Sequence, residues 1–396
     1  MFDFENIVIG AGLIGSAAAK YLAESNPSTL LVGPEEPLNY GESEVFASHY
    51  DNSRVQRLVG INDAWTRLNI ESQQAWLKLE EQTGRKLFTN SGTLYVAPTK
   101  DEYLSDVQTR ADNFGVNYQV VNSLEDLGQI APEYQFTNEF FGYFEPDQAG
   151  SINPREIVKA QKELLSKNSG AYLAKVSSDV QRYKNGWQVT TLDGQSFSAQ
   201  NVLISAGSFS NFHSLLGNKL DLKVKTEVII LAEVTESVAL SLSHLPALLY
   251  EIYVEDFDGI YLVKPEKYED GNWYLKMGLN QSIDQYCTSL TDLRDWFVGD
   301  QHKTYLPVLK RELTKLLPSV KFESFTTKAC VISRTSTDNP YIDKVDEGLF
   351  VATGCNGNGY SAMSSDAQGR VASNLIMTGS YPFGYSHEDF KARYLS

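Results

Sequence analysis

The sequence predicts an α/β protein, α+β overall, in which a parallel-sheet domain is interleaved with a lobe of antiparallel sheet. Three observations lead to this fold class. The chain opens with an apolar run at residues 7–9, a glycine-rich turn, a helix of small residues and a second apolar run at 29–32. The middle of the chain carries strand-like runs without helices alternating between them. Two later runs, which end at Gly207 and Gly354, repeat the strand-then-glycine pattern of the opening.

The strands of the antiparallel lobe are predicted from runs rich in branched and aromatic residues. These runs are residues 93–96, 224–234, 260–263 and 273–279. Helices are predicted at 62–83, where apolar residues recur on related faces before Gly84, and at 301–317, where leucines recur at spacings of three and four.

These elements predict a nucleotide-binding domain interrupted twice by a substrate lobe. The nucleotide-binding domain is expected to comprise residues 1–88, 148–218 and 325–396. The substrate lobe is expected to comprise 89–147 and 219–324.

Composition excludes several classes of function. The chain has 396 residues with 34 basic and 50 acidic side chains, a net charge of −16, which argues against a nucleic-acid or anionic-membrane partner. Its three cysteines, Cys287, Cys330 and Cys355, are widely spaced without a CxxC pair, so neither a metal site nor a disulfide framework is expected. No uncharged apolar run of about 18 residues occurs. The acidic N-terminal residues lack the positive region of a signal peptide, and a cytoplasmic location is therefore expected.

Gly10, Gly12 and Gly15 match the pattern G-x-G-x-x-G between a predicted strand and a predicted helix. The first glycine permits a tight turn, the second lets the backbone approach a pyrophosphate, and the third allows close helix–strand packing. The helix amino terminus then faces the negative charge. The pattern predicts a dinucleotide site, and an ordinary glycine-rich turn is the alternative.

The acid that usually binds the ribose, about 20 residues further on, is displaced in this sequence. The second strand ends in Val32-Gly33-Pro34-Glu35-Glu36. Glu35 or Glu36 is the candidate for this contact, and a pair of solvated loop carboxylates is the alternative.

A second glycine-rich loop, residues 354–359, follows a predicted strand and precedes a helix expected at about 361–376. A helix amino terminus with bare amides suits the negative charge of a reduced flavin. A nicotinamide enzyme has less use for such a site. The loop therefore favours a flavin, and a glycine-rich loop without a ligand is the alternative.

The chain resembles the monomeric sarcosine oxidase and N-methyltryptophan oxidase family of the glycine/D-amino-acid oxidase superfamily. The resemblance runs nearly end to end. It is carried by residues 10–15, 48–57, 91–94, 144–146, 275–278, 329–330, 343 and 354–359. It implies a Rossmann-like FAD-binding domain of the glycine/D-amino-acid oxidase type, an antiparallel-sheet substrate domain and a monomer.

The resemblance also implies roles for individual residues. Cys330 matches the cysteine that binds FAD covalently, and Lys276 matches a lysine that helps oxygen accept electrons. Arg54 matches an arginine near the flavin, and Arg57 one that binds the substrate carboxylate. The other implied FAD-binding positions are Gly10, Gly12, Leu13, Ile14, Gly15, Glu35, Ser48, Gly354, Gly357, Gly359 and Tyr360.

The predicted substrate pocket departs from the family at four positions. A lysine after the C-terminal glycine loop is Ser361 here, and a tyrosine two residues after the flavin cysteine is Ile332. A histidine four residues after the oxygen-side lysine is Asn280, and another pocket tyrosine is Leu262. The substrate is therefore expected to be a secondary amine other than sarcosine.

The expected function is FAD-dependent oxidation of a secondary amine or N-methyl amino acid to an imine, with oxygen reduced to hydrogen peroxide. One alternative is a FAD-dependent dehydrogenase that passes electrons to a quinone or a carrier protein. Another is a flavin-binding subunit or sensor without amine turnover. A nicotinamide dehydrogenase would leave Cys330 without a role.

Overall fold

The computed structural model describes residues 1–98, 102–136, 139–252, 257–281, 285–355 and 360–395. Within these ranges the strands are, in chain order, β1 (Phe4–Ile9), β2 (Thr29–Val32), β3 (Arg54–Gln56), β4 (Phe88–Asn90), β5 (Thr93–Ala97), β6 (Gln119–Val121), β7 (Phe141–Glu145), β8 (Gly150–Ile152), β9 (Ala171–Leu173), β10 (Ser177–Tyr183), β11 (Gly186–Thr191), β12 (Ser196–Ile204), β13 (Leu222–Val234), β14 (Ala247–Glu251), β15 (Phe257–Lys267), β16 (Trp273–Gln281), β17 (Tyr286–Cys287), β18 (Ser324–Thr335), β19 (Tyr341–Asp346) and β20 (Leu349–Thr353).

The α-helices of the described ranges are α1 (Leu13–Ser25), α2 (Asp63–Thr83), α3 (Glu102–Phe114), α4 (Leu124–Ile130), α5 (Pro154–Lys167), α6 (Glu236–Ser241), α7 (Leu290–Val298), α8 (Leu306–Leu316), α9 (Tyr360–Met363), α10 (Ser365–Thr378) and α11 (His387–Phe390). Within the same ranges, no helix has the length and apolar character needed to cross a bilayer.

The first sheet is mostly parallel and carries the βαβ opening of the chain. Its strands run in the order β10-β11-β12-β1-β2-β9, and β20 pairs with the second half of β12 and with β19. Strands β20, β12, β1, β2 and β9 are parallel to one another, so their carboxyl ends meet at one edge. Ligands of α/β sheets bind at such an edge.

The second sheet is almost entirely antiparallel. Its strands run in the order β17-β13-β16-β15-β14-β5-β7-β6, and β18 pairs with the other edge of β13. Among its described pairs, only β14 and β5 are parallel. A small third sheet, in the order β3-β8-β4, packs near β14 and β15 of the second sheet.

The structure confirms the mixed α/β class and contains the predicted strands and helices. Strand β18 pairs with β13 along its whole length, although the predicted boundary at residue 325 assigned it to the nucleotide-binding domain. The amino end of β18 carries no glycine or proline to mark the change of sheet. The predicted helix at 301–317 is a short 3₁₀ turn followed by α8.

Alternation along β16 places apolar side chains on one face of the second sheet and polar side chains on the other. Leu275, Met277 and Leu279 are buried in the main apolar core, together with residues of α7 and α8. Lys276 and Asn280 therefore face the other side, where the nucleotide-binding domain lies.

A buried ion pair links the helices that cover the first sheet. The Lys20 ammonium of α1 lies 2.7 Å from Oδ2 of Asp366 on α10, and the two side chains are 3% and 1% exposed. Gln161 of α5 donates to the same carboxylate at 3.3 Å, and Tyr21 donates to its other oxygen. Since the charges are paired and hydrogen-bonded, burial is tolerated, but removal of one partner leaves the other charge exposed to the apolar interior.

Asp366→Asn tests this pair because it removes the negative charge and keeps the shape. We expect the free energy of unfolding to fall by roughly 3–5 kcal/mol, because Lys20 becomes an unpaired buried cation. Urea unfolding followed by circular dichroism measures the loss. Asp106→Asn is the matched control, since Asp106 pairs with Arg110 at the surface and such a pair contributes at most about 0.5 kcal/mol. Equal losses in the two variants would contradict this assignment.

Candidate functional site

A cavity of about 410 Å³ opens where the carboxyl ends of the parallel strands meet the second sheet. The β1–α1 turn, the end of β2 and the segment after β12 form one wall. Residues 45–51 with Arg54 form a second wall, and residues 327–331 of β18 form a third. The cavity is therefore bounded by elements of both large sheets.

The β1–α1 turn is held in close contact with the segment that follows β12. Gly10 has φ +107°, and a Cβ on it would lie 2.1 Å from the carbonyl oxygen of Ser205. A Cβ on Gly15 would lie 1.9 Å from the carbonyl oxygen of Gly10. Only glycine fits at both positions, and the close packing brings the first turn of α1 to the cavity.

The amino terminus of α1 is free to bind an anion. Gly12 caps the helix without a side-chain hydrogen bond, and the first turn contains no acidic residue. Leu13 and Ile14 line the cavity beside it. The backbone amides of a first helical turn, together with the helix dipole, stabilise negative charge such as that of a pyrophosphate.

His49 lines the cavity near this helix end, and the sequence analysis assigned it no role. Its side chain is 8% exposed, and Nδ1 has no hydrogen-bond partner among the described residues. Burial, with a smaller contribution from the positive charge of Lys162, lowers the pKa of His49 to about 3. The ring is therefore neutral at pH 7. A buried polar atom without a partner is costly, and a bound ligand would satisfy it.

Both candidates for the predicted ribose contact form ion pairs with basic side chains. Glu35 is 63% exposed and pairs with Lys162 at 3.2 Å. Glu36 forms an ion pair with Arg155. Among the residues just after β2, Gly33 and Pro34 line the cavity, whereas neither glutamate does. Ser48, another predicted cofactor residue, lines the opposite wall.

The C-terminal glycine loop lies partly outside the described residues. Gly354 lines the cavity with φ +104°. Gly357 and Gly359 lie outside the described ranges. Helix α9 begins at Tyr360 and includes Ser361, and the side chains of these two residues are not described. The predicted helix at this place is therefore present as α9 followed by α10.

Cys330 borders the cavity from β18 and lies opposite Glu227 of β13. Its carbonyl oxygen accepts a hydrogen bond from the indole of Trp296 at 2.8 Å, which fixes the backbone there. Burial raises the pKa of the Cys330 thiol, and the positive charges of Arg54 and Lys276 oppose that rise. The thiol is unpaired with any other cysteine of the described chain.

Lys276 and Arg54 converge on one carboxylate that the sequence analysis did not single out. The Lys276 ammonium is fully buried and donates to Oδ2 of Asp51 at 2.6 Å and to the carbonyl oxygen of Ser53. Arg54 forms an ion pair with the same oxygen and donates to the carbonyl oxygen of Ser48 at 3.0 Å. Asp51 and Arg54 line the cavity. Burial, and next the charge of Arg54, hold the pKa of Lys276 well below its ordinary value, whereas the ion pair with Asp51 acts in the opposite direction.

Arg57 occupies a different buried cluster from the one expected. It is 1% exposed, donates to the hydroxyl of Tyr103 at 2.9 Å and packs over the ring of Tyr95. Glu145 belongs to the same cluster and accepts from Tyr95 at 2.6 Å. Neither Arg57 nor Lys276 is among the described residues that line the cavity, whereas Cys330 is.

Two of the predicted substrate-pocket residues lie close together, and one lies elsewhere. Asn280 accepts a hydrogen bond from the buried Lys225 ammonium at 2.6 Å, and Ile332 is the register partner of Lys225. Leu262 instead lies on the core face of β15 and is completely buried. Its neighbour Tyr261 faces the other side, with its ring 5.7 Å from the Lys276 ammonium. A one-residue step along a strand reverses the face, which explains this correction.

The described groups fit a flavin dinucleotide. An open helix amino terminus and the unpartnered Nδ1 of His49 suit a pyrophosphate, and the Arg54 and Lys328 side chains supply positive charge at the opposite wall. A family model described as FAD dependent oxidoreductase matches residues 6–365.

The chain belongs to this FAD-dependent oxidoreductase family.

Curated relatives in the family include N-methyl-L-tryptophan oxidase of Yersinia pestis (strain Pestoides F), which is 27% identical over 209 residues. The same figures hold for that oxidase from Yersinia pseudotuberculosis serotype O:1b (strain IP 31758). The match covers 52% of this chain and 54% of each relative. The chain thus spans about half the length of the curated relatives it matches.

Solved structures share the fold over nearly the whole chain. NikD, an amino acid oxidase essential for nikkomycin biosynthesis, superposes with a TM-score of 0.79 at 18% identity and covers 100% of this chain and 99% of its own. L-proline dehydrogenase from P. horikoshii has a TM-score of 0.72 at 17% identity, with coverages of 97% and 96%. At these identities the likeness establishes the fold.

Gly12→Ala tests the cofactor role of the α1 terminus without disturbing the fold. Gly12 has φ −81°, which alanine adopts, and a Cβ would meet nothing nearer than Nδ1 of His49 at 4.0 Å. We expect the apoprotein to keep its stability while the affinity for FAD falls roughly 10–100-fold, because the methyl group occupies space needed by the dinucleotide. Fluorescence titration of flavin-free protein with FAD measures the affinity.

Gly15→Ala is the comparison variant for this test. Its Cβ would collide with the Gly10 carbonyl, so thermal unfolding of the apoprotein should occur at lower temperature. Unchanged FAD affinity in Gly12→Ala would contradict the proposed pyrophosphate site.

Proposed function

We propose that this FAD-dependent oxidoreductase oxidises the C–N bond of a secondary amine or N-methyl amino acid to an imine and uses oxygen as the electron acceptor. The observation that carries the proposal is the convergence of Cys330, Arg54 and the Lys276–Asp51 pair at one end of the cavity. The curated relatives named as N-methyl-L-tryptophan oxidases support the choice of an amine substrate.

FAD, when bound, supplies a two-electron acceptor in this site. The α1 terminus and His49 would hold its pyrophosphate. Arg54 and Lys328 would place positive charge where negative charge develops, which is the arrangement that stabilises an anion in a site of low dielectric constant. This local positive charge stands out in a chain with a net charge of −16.

We propose that Cys330 is the covalent attachment point of the flavin. Cys330 lines the cavity, and the positive charges of Arg54 and Lys276 oppose the rise in the pKa of its thiol that burial causes. The thiolate is the nucleophilic form of cysteine. Cys287 is buried in the apolar core, and burial raises the pKa of its thiol to about 11, so it has no comparable environment.

The substrate is proposed to differ from sarcosine. Arg57, the expected carboxylate ligand, donates to the Tyr103 hydroxyl and packs over the ring of Tyr95. The predicted pocket residue Asn280 accepts a hydrogen bond from Lys225, which forms an ion pair with Glu227 at 2.9 Å. These groups suit a polar substituent on the amine, and the substrate class proposed is therefore a functionalised secondary amine.

A dehydrogenase is the second candidate function, and one observation favours it. The Lys276 ammonium, expected to assist oxygen, is completely buried and bound to a carboxylate. That pairing reduces the positive charge available to oxygen. Peroxide formation distinguishes the two functions: a panel of secondary amines, with and without carboxylates, should yield hydrogen peroxide in air. Amine turnover only with added quinone would favour the dehydrogenase.

Cys330→Ser tests the covalent link. We expect the yellow colour of the wild type to remain with acid-precipitated protein, because a thioether survives denaturation. The variant should release all of its flavin into the supernatant, where absorbance measures it. Cys355→Ser is the matched control, since Cys355 also lines the cavity, and it should retain the flavin. Free flavin from the precipitated wild type would overturn the assignment.

Lys276→Met tests the oxygen side of the proposal. The variant removes the cation and keeps most of the side-chain volume. We expect flavin reoxidation by oxygen to slow by roughly 100-fold or more, as for loss of one electrostatic stabiliser of a developing anion, while reduction by amine changes much less. Stopped-flow absorbance measures both rates separately. Equal slowing of the two half-reactions would indicate a general disturbance of the site instead.

A further inference from the structure

We propose that Asp51 is a positioning residue for the Lys276 ammonium: it fixes the amine in place and offsets the repulsion between Lys276 and Arg54. This inference rests on the proposed function, because it concerns the group assigned to the oxygen reaction. It gives a role to Asp51, which lies within the segment 48–57 and whose charge is opposite to those of Arg54 and Lys276.

Asp51 is the centre of a buried hydrogen-bond network. The residue is 6% exposed. Oδ2 receives the Lys276 ammonium at 2.6 Å and the Arg54 guanidinium, and Oδ1 receives the Tyr268 hydroxyl at 2.8 Å and the Asn52 amide at 2.8 Å. Both oxygens are therefore held by donors. Such a carboxylate is strongly stabilised in its charged form.

The network is needed because two cations share one enclosed space. Lys276 is 0% exposed, and an isolated ammonium there would lose its proton to avoid the cost of burial. Arg54 adds a like charge beside it. Asp51 supplies the negative charge in direct contact with both, so the trio carries a net charge of +1 rather than +2.

The other groups that face Lys276 do not replace Asp51. The Ser53 carbonyl oxygen accepts a hydrogen bond but carries no charge. Lys328 on β18 adds a further positive charge, whereas ionisation of Cys330 would favour the ammonium. Burial raises the pKa values of Cys330 and Tyr261, so both are neutral near pH 7. Asp51 is thus the anionic partner of Lys276 among the described residues.

Asp51 also connects the cofactor-binding segment to the second sheet. The segment that carries Asp51 also carries Ser48 and His49, which line the cavity beside the α1 terminus. Asp51 and Lys276 are 225 positions apart, so the ion pair joins the cofactor-binding segment to the second sheet. Correct placement of this segment therefore sets the position of the Lys276 ammonium.

Asp51→Asn is the variant that tests the charge, because it removes the negative charge and keeps the shape of the side chain, with one of the two acceptor oxygens replaced by an amide nitrogen. With the counter-charge lost, Lys276 should lose its proton at lower pH than in the wild type. The cation is present below that midpoint and absent above it, so flavin reoxidation should slow as pH rises through it. We expect the midpoint to move down by roughly one pH unit or more.

Two readouts measure this shift in the holoenzyme. The first is the pH profile of reoxidation by oxygen after the flavin is reduced with dithionite, which requires no amine. The second is the ¹³Cε signal of Lys276 in protein labelled with ¹³C-lysine, assigned by its loss in Lys276→Met. Tyr268→Phe is the matched control, since it removes one hydrogen bond to Asp51 but no charge, and its midpoint should match the wild type.

The outcomes separate this inference from the proposed function. If the reduced flavin of the wild-type protein does not react with oxygen, the proposed oxidase function is refuted. If wild-type reoxidation is fast and its pH midpoint is the same in Asp51→Asn, the role of Asp51 is refuted while the oxidase function stands. If Asp51→Asn does not fold, the wild-type signal decides: Lys276 must be protonated at pH 7 to 8, and a neutral Lys276 in that range would overturn the inference.

Discussion

The close approach of backbone at Gly10 is the constraint on which the rest of the site depends. The carbonyl oxygen of Ser205 lies where a Cβ of residue 10 would be, and the Gly10 carbonyl lies where a Cβ of Gly15 would be. These contacts bring β1, β12 and α1 together, so the bare amino terminus of α1 opens at the carboxyl edge of the parallel sheet. The second sheet then closes the same space with Cys330 on β18.

The cavity carries local positive charge, whereas the molecule as a whole is acidic. The chain is acidic, with a net charge of −16, yet Arg54 and Lys328 line the cavity and Lys276 lies buried beside it. One carboxylate, Asp51, lies between Arg54 and Lys276. The result is a moderate positive charge held in fixed geometry, which suits anions that form during a redox cycle and limits the cost of burying several cations.

The sequence was sufficient for the parts of the fold that local pattern determines. The glycines at 10, 12 and 15 predict the βα turn that the structure contains. The sequence does not predict which side chains from distant segments contact one another. The Asp51–Lys276 pair joins residues 225 positions apart, and Arg57 lies with Tyr103 because of tertiary packing. Leu262 differs from the expected pocket residue by a single step along a strand, which no spacing in the sequence reveals.

Anaerobic titration of the purified yellow protein with N-methyl amino acids and other secondary amines tests the central claim most directly. We expect at least one amine to bleach the flavin absorbance stoichiometrically, because the cavity would place the amine beside a flavin held between α1 and Cys330. Admission of oxygen should then restore the absorbance. A flavin that dithionite reduces but that no secondary amine reduces would contradict the account and would favour a flavin-binding subunit or sensor.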